Sequence, residues 1–155
     1  MNIKLIHIKL NNNKRLSGSV FSQVTQSHYA ETPDVDDINQ FKQMFNSIQG
    51  LVSSNKILAL HDVSDGGLIT SLIEMAFTKK VGLDICIEDL DKDNLNQSLF
   101  AEEIGLVIQV DEENVDEVIA IASDNNLIAQ IIGNVSSSQN ITISNAASQL
   151  YQESI

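Results

Sequence analysis

The run Leu60-His61-Asp62-Val63-Ser64-Asp65-Gly66-Gly67-Leu68 gathers more chemically capable groups than any other stretch of the chain. Asp62, Ser64 and Asp65 bring hard oxygens, the ligand type Mg²⁺ takes when it bridges to phosphate. Gly66 and Gly67 allow positive φ and a close approach of backbone. A helix opening at Leu68 would add the N–H groups of its first turn. One reading of these residues is a loop that holds a phosphate through a divalent ion. The same residues also make a capping turn, with Asp65 as N-cap and the two glycines as the turn itself. Spacing alone leaves both readings open. His61 has no partner placed by the sequence and reads as a strand-end histidine with a satisfied hydrogen bond.

Other candidates carry less. Glu102-Glu103 could project carboxylates into a cleft, although acids at a helix end are usually solvated. The acid-rich stretch 111–117 reads as a helix surface. Cys86 alternates with core residues and has no histidine near it in sequence, so a packed thiol is expected rather than a nucleophile. The chain holds no P-loop, dinucleotide fingerprint, zinc spacing or nucleophile elbow.

The elements that must hold the loop follow from periodicity. Alternation predicts a strand over 3–10, and the apolar run 56–61 predicts a second strand that ends at the loop. Residues 68–79 read as a helix with Leu68, Leu72, Met75 and Ala76 inward. Ile38, Phe41, Phe45, Ile48 and Val52 predict a helix over 38–54 buried along that stripe, capped by Asp36 or Asp37. Shorter helices are expected at 18–26, 92–103 and after Asp111. Further strands are expected at 83–87 and 106–110, and near 127–132 and 140–144. Residues 145–155 show no pattern and read as a linker or tail. The class is α/β or α+β, a mixed sheet packed with helices, in one domain spanning 1–155.

Composition narrows the function. The net charge is −12 with nine basic residues, which disfavours nucleic-acid and anionic-membrane surfaces. A phosphate would therefore depend on backbone N–H groups and a metal ion. No apolar run is long enough to span a bilayer. One cysteine and the absence of a signal-peptide pattern suit a reducing cytoplasm.

Three blocks, in order, resemble the C-terminal synthetase half of phosphoribosylformylglycinamidine synthase. The first is Arg15-Leu16-Ser17-Gly18-Ser19 with Gln23-Val24, followed by Thr32-Pro33-Asp34-Val35-Asp36-Asp37. The second runs from Leu60 to Leu68 and on through Glu74-Met75-Ala76-Phe77 and Gly82-Leu83-Asp84. The third is Leu99-Phe100-Ala101-Glu102-Glu103-Ile104-Gly105 with Val107-Ile108-Gln109-Val110. The resemblance covers residues 3 to 151, and departs from the family's glycine-rich stretch at Asn11-Asn12-Asn13.

The resemblance implies an α/β fold related to the C-terminal domain of aminoimidazole ribonucleotide synthetase. It implies a ligase that makes formylglycinamidine ribonucleotide from formylglycinamide ribonucleotide, ATP and glutamine in purine biosynthesis. The metal ligand would be Asp62, binding Mg²⁺, and Ser64 would contact ATP or ADP, in a site that is structural in the large form of the enzyme. Asp65, Gly66 and Gly67 are added to the nucleotide site from the loop argument. The expected partners are an N-terminal domain of the same synthetase type and a glutaminase domain. No catalytic residue is assigned, and a fragment inactive by itself is expected. The competing reading is a non-catalytic α/β module that binds a partner or small effector.

Overall fold

The computed structural model describes residues 2–87, 94–145 and 147–155. Seven strands form one sheet: β1 (Ile3–Lys9), β2 (Ala59–Asp62), β3 (Gly82–Cys86), β4 (Gly105–Asp111), β5 (Ile128–Ser136), β6 (Asn140–Ser144) and β7 (Gln149–Ser154). Their order is β2-β4-β1-β5-β3-β6-β7. All neighbours are antiparallel except β3 and β6, so the expected mixed sheet is present. Among the described residues five α-helices pack with it: α1 (Val20–Thr25), α2 (Ile38–Ser53), α3 (Gly67–Lys79), α4 (Leu95–Phe100) and α5 (Val115–Asp124).

Alternation along β1 and β4 splits the core into two layers. Leu5 and Val107 face one side with Leu68, Leu72, Met75 and Ala76 of α3 and Leu83 and Ile85 of β3. Ile6, Ile8, Ile108 and Val110 face the other with Met44, Ile48 and Leu51 of α2 and Val118 and Ala122 of α5. The inward side of α3 is the one its spacing predicts.

Three sequence expectations change. The α2 stripe is rotated: Met44, Ile48 and Leu51 are buried, whereas Ile38, Phe45 and Val52 are exposed. Both sets satisfy helical spacing; the core packs the Met44, Ile48 and Leu51 side, and a polar contact accompanies that rotation. Gln40 Nε2 donates to the carbonyls of Leu10 and Asn126, turning that side of α2 toward the end of β1 and the loop after α5. Cys86 is exposed, because it shares the outward side of β3 with Asp84 rather than the core side of Leu83 and Ile85. Residues expected as a patternless tail at 145–155 include β7, which pairs antiparallel with β6. Its burial pattern is almost wholly exposed, so no alternation marks it as a strand. The helix expected over 92–103 is described only from residue 94, and its first two residues lie outside the described set.

His7 stands in the middle of the sheet, between Val107 of β4 and Gln130 of β5. Burial, with the nearby charge of Lys9, holds its imidazole down to about 4 from an ordinary 6.5. The unfolded chain therefore binds a proton that the folded chain resists between those values. Stability from this site is whole above about pH 6.5 and drains away toward pH 4. Urea denaturation across that window should show the loss, and His7→Gln should flatten it; an unchanged slope would contradict a neutral buried His7. For α2, Ile48→Ala should cost about 2–5 kcal/mol. Phe45→Ala should stay within roughly 0.5 kcal/mol, and equal losses would reverse the helix register.

Candidate functional site

The loop between β2 and α3 leaves the sheet at its edge. Asp62 is the last residue of β2, paired with Leu106 of β4, and Val63 N–H continues the ladder to Gly105 O at 2.9 Å. The buried Ser71 hydroxyl donates to Asp62 O at 2.8 Å, which ties the backbone of the site to α3. The Asp62 side chain is 71% exposed. His61 sits beside it with Nδ1 at 2.6 Å from Asp62 O and 3.6 Å from Asp62 Oδ1. Its Nε2 lies 2.8 Å from Glu74 Oε2 on α3. His61 thus has partners, as a satisfied strand-end histidine requires, and one of them is Asp62, the candidate metal ligand.

Ser64 and Asp65 are exposed. Gly66, not Asp65, is the N-cap of α3, and no side chain caps that helix. Both glycines adopt left-handed backbone, at φ 87° and 73°. A Cβ on Gly66 would come within 2.2 Å of Thr70 Oγ1, and one on Gly67 within 2.7 Å of Leu99 O. The glycine pair is therefore required by the turn and by the close seating of α4 on the start of α3.

The anion at the head of α3 is one of the chain's own carboxylates. Glu102 Oε1 accepts from Gly66 N–H at 2.8 Å and from Val20 N–H at 2.9 Å, joining the first turns of α3 and α1. Its neighbour Glu103, 13% exposed, accepts from Arg15 Nε, Nη2 and backbone N–H at 2.7, 2.7 and 2.9 Å. The other side of the Arg15 guanidinium binds both oxygens of Asp36, at 3.0 and 3.1 Å. Hydrogen bonds donated to Glu103 and then to Asp36 raise the pKa of Arg15 further above its ordinary range. Asp37, freed from this network, caps α2. Glu102 and Glu103 are thus structural anchors rather than solvated acids; their place in a block shared with a known family was the only sequence signal.

Among the described residues no group of three or more His, Cys, Asp or Glu is arranged to hold a metal. Asp62 and Ser64 fit Mg²⁺ only in the mode where one carboxylate shares the ion with phosphate oxygens and water.

The Arg15 network predicts its own test. Arg15→Ala leaves Glu103 without its cation and should cost roughly 3 kcal/mol or more in urea unfolding. Arg15→Lys should recover only part, because an ammonium cannot span both carboxylates as the planar fork does. A loss within about 0.5 kcal/mol for Arg15→Ala would show the clamp to be idle.

A family model described as AIR synthase related protein, C-terminal domain, matches residues 4–144. A probable phosphoribosylformylglycinamidine synthase, chloroplastic/mitochondrial, of Arabidopsis thaliana is 37% identical over 142 residues, 90% of this chain and 10% of that protein. The phosphoribosylformylglycinamidine synthase of Schizosaccharomyces pombe is 42% identical over 143 residues, 90% of this chain and 11% of that protein. The chain thus spans about a tenth of the length of these curated relatives. Among solved structures, T. maritima PurL complexed with ATP superposes with TM-score 0.76 at 10% identity, over 98% of this chain and 24% of that one. T. maritima PurL complexed with FGAR gives 0.78 at 11% identity, over 97% and 26%. A chain of the HypE-HypF complex gives 0.63 at 18% identity, over 99% and 52%. These structural likenesses carry the fold alone. By the family match along nearly all its length, the chain belongs to the AIR synthase related family as its C-terminal domain.

Proposed function

We propose that this chain serves as the C-terminal domain of the second synthetase half of a phosphoribosylformylglycinamidine synthase, a ligase of purine biosynthesis. The observation that carries the reading is 37–42% identity to two such enzymes over 90% of the chain. In the proposed reaction, formylglycinamide ribonucleotide, ATP and glutamine-derived ammonia give the amidine, ADP and phosphate. The N-terminal synthetase domain and a glutaminase domain are its partners, in the cytoplasm.

In this reading Asp62 is the Mg²⁺ ligand and Ser64 the contact to ATP or ADP. Bound Mg²⁺ would supply the positive charge that this acidic surface lacks. Ser71 and the ladder to β4 hold the Asp62 backbone, so that its carboxylate projects from a fixed point. Ser64 O accepts from Gly67 N–H at 2.9 Å, which fixes the turn beneath the Ser64 hydroxyl. Asp65 lies at the exposed rim of the same turn. Gly66 and Gly67 shape the loop, while Glu102 engages the Gly66 N–H that a phosphate would otherwise take. The nucleotide would therefore meet the side chains of this loop rather than the head of α3. The remainder of its pocket comes from the N-terminal domain.

The test restores that domain beside this chain and measures melting with ADP and Mg²⁺. Nucleotide should raise the melting temperature only when Mg²⁺ is present, and Asp62→Ala should abolish the shift without lowering the ligand-free value. An equal shift in Asp62→Ala would remove Asp62 from the site. The chain by itself should form no amidine from formylglycinamide ribonucleotide, ATP and ammonia; turnover would refute a dependent domain.

A further inference from the structure

A cavity of about 310 Å³ opens at the end of β1, on the sheet face that carries α3. Val63, Leu68 and Ile132 give it apolar walls; His7, Lys9, Lys14, Gln97 and Gln130 give it polar ones. Val63 turns inward while its neighbours Asp62 and Ser64 are exposed, so the cavity lies across the loop from the proposed nucleotide contacts. His7 and Gln130 are cross-strand partners in the β1–β5 ladder, and their side chains stand together on one face. Neither side chain makes a hydrogen bond to another protein group among the described residues.

The electrostatics of the lining point one way. Glu103 is the carboxylate that reaches this cavity among the described residues, and its charge is already matched by Arg15. Two lysines line it in a chain of net charge −12. Lys14 Nζ is held over the rim by Ser98 Oγ at 2.8 Å, a neutral acceptor that leaves the ammonium charge uncompensated by that bond. Burial, and after it the nearby Lys9 charge, keeps a proton off His7, so the imidazole enters as a neutral group. A metal cation would meet the Lys14 ammonium here. A wholly apolar molecule would strand the carboxamides of Gln97 and Gln130.

We propose that this cavity binds a small organic anion, a phosphate monoester or a carboxylate. Lys14 and Gln130 donate to its charged end, and Val63, Leu68 and Ile132 cover its carbon skeleton. The volume lies at the small end of the range for metabolite pockets. The site is separate from Asp62 and does not depend on the nucleotide reading.

Calorimetric titration of the intact chain with ribose 5-phosphate, glutarate, inorganic phosphate and neutral ribose tests it. At least one of the two organic anions should bind saturably, and which one does so names the charged group. Ribose should not bind, and inorganic phosphate should bind more weakly for want of a carbon skeleton. Lys14→Ala, a surface substitution, and Gln130→Leu should each weaken the anion about tenfold or more. Asp62→Ala should leave it unchanged, which separates failure of this site from failure of the nucleotide site. The bound anion should also raise the titration midpoint of His7, followed by its imidazole proton resonance. No saturable binding of either organic anion up to about 20 mM would overturn the proposal. So would affinity that survives both Lys14→Ala and Gln130→Leu.

Discussion

Two adjacent carboxylates at the entrance to β4 hold the functional end of this domain together. Glu102 joins the heads of α1 and α3, and Glu103 fastens Arg15, which in turn fastens Asp36 and the approach to α2. Three segments far apart in sequence are thereby fixed to one point on the central sheet. Breaking one partner of such a cluster leaves a charge in a poorly solvated place, so the cluster behaves as a unit. The loop 62–67 inherits its position from it, because Gly66 is one of the groups that Glu102 holds.

This arrangement changes how an acidic chain can meet a phosphate. A helix head is the usual place for an anion, and here the anion is internal. In the proposed reading a ligand meets the outward side chains of Asp62 and Ser64, whose backbone is held by Ser71 and by the ladder to β4. The sparse cations are not spread evenly either. Arg15 is spent on structure, while Lys9 and Lys14 gather at one cavity behind Val63.

Legibility followed the strength of the local signal. The α3 stripe was readable because Leu68, Leu72, Met75 and Ala76 are its clear apolar series and all four are buried. In α2 two stripes compete, since apolar residues cover a wide arc, and the register is the one that packs Met44, Ile48 and Leu51 into the core, with Gln40 reaching the carbonyls of Leu10 and Asn126. β7 was invisible because an edge strand with little burial needs no alternation. Within the loop, the residue types announced hard oxygens and left-handed turns, but not that Glu102 would take the Gly66 N–H.

The sequence by itself determined the mixed α/β class, the strand–loop–helix that presents Asp62 and Ser64, and the family blocks that contain Arg15, Asp36, Glu102 and Glu103. These are matters of local periodicity, turn chemistry and residue identity. Only the tertiary structure decided which carboxylates meet Arg15, which N–H groups Glu102 takes, and that Val63 faces a cavity while its neighbours face out. Those pairings join residues up to 88 positions apart, and no local pattern encodes which long-range partner will satisfy a buried charge.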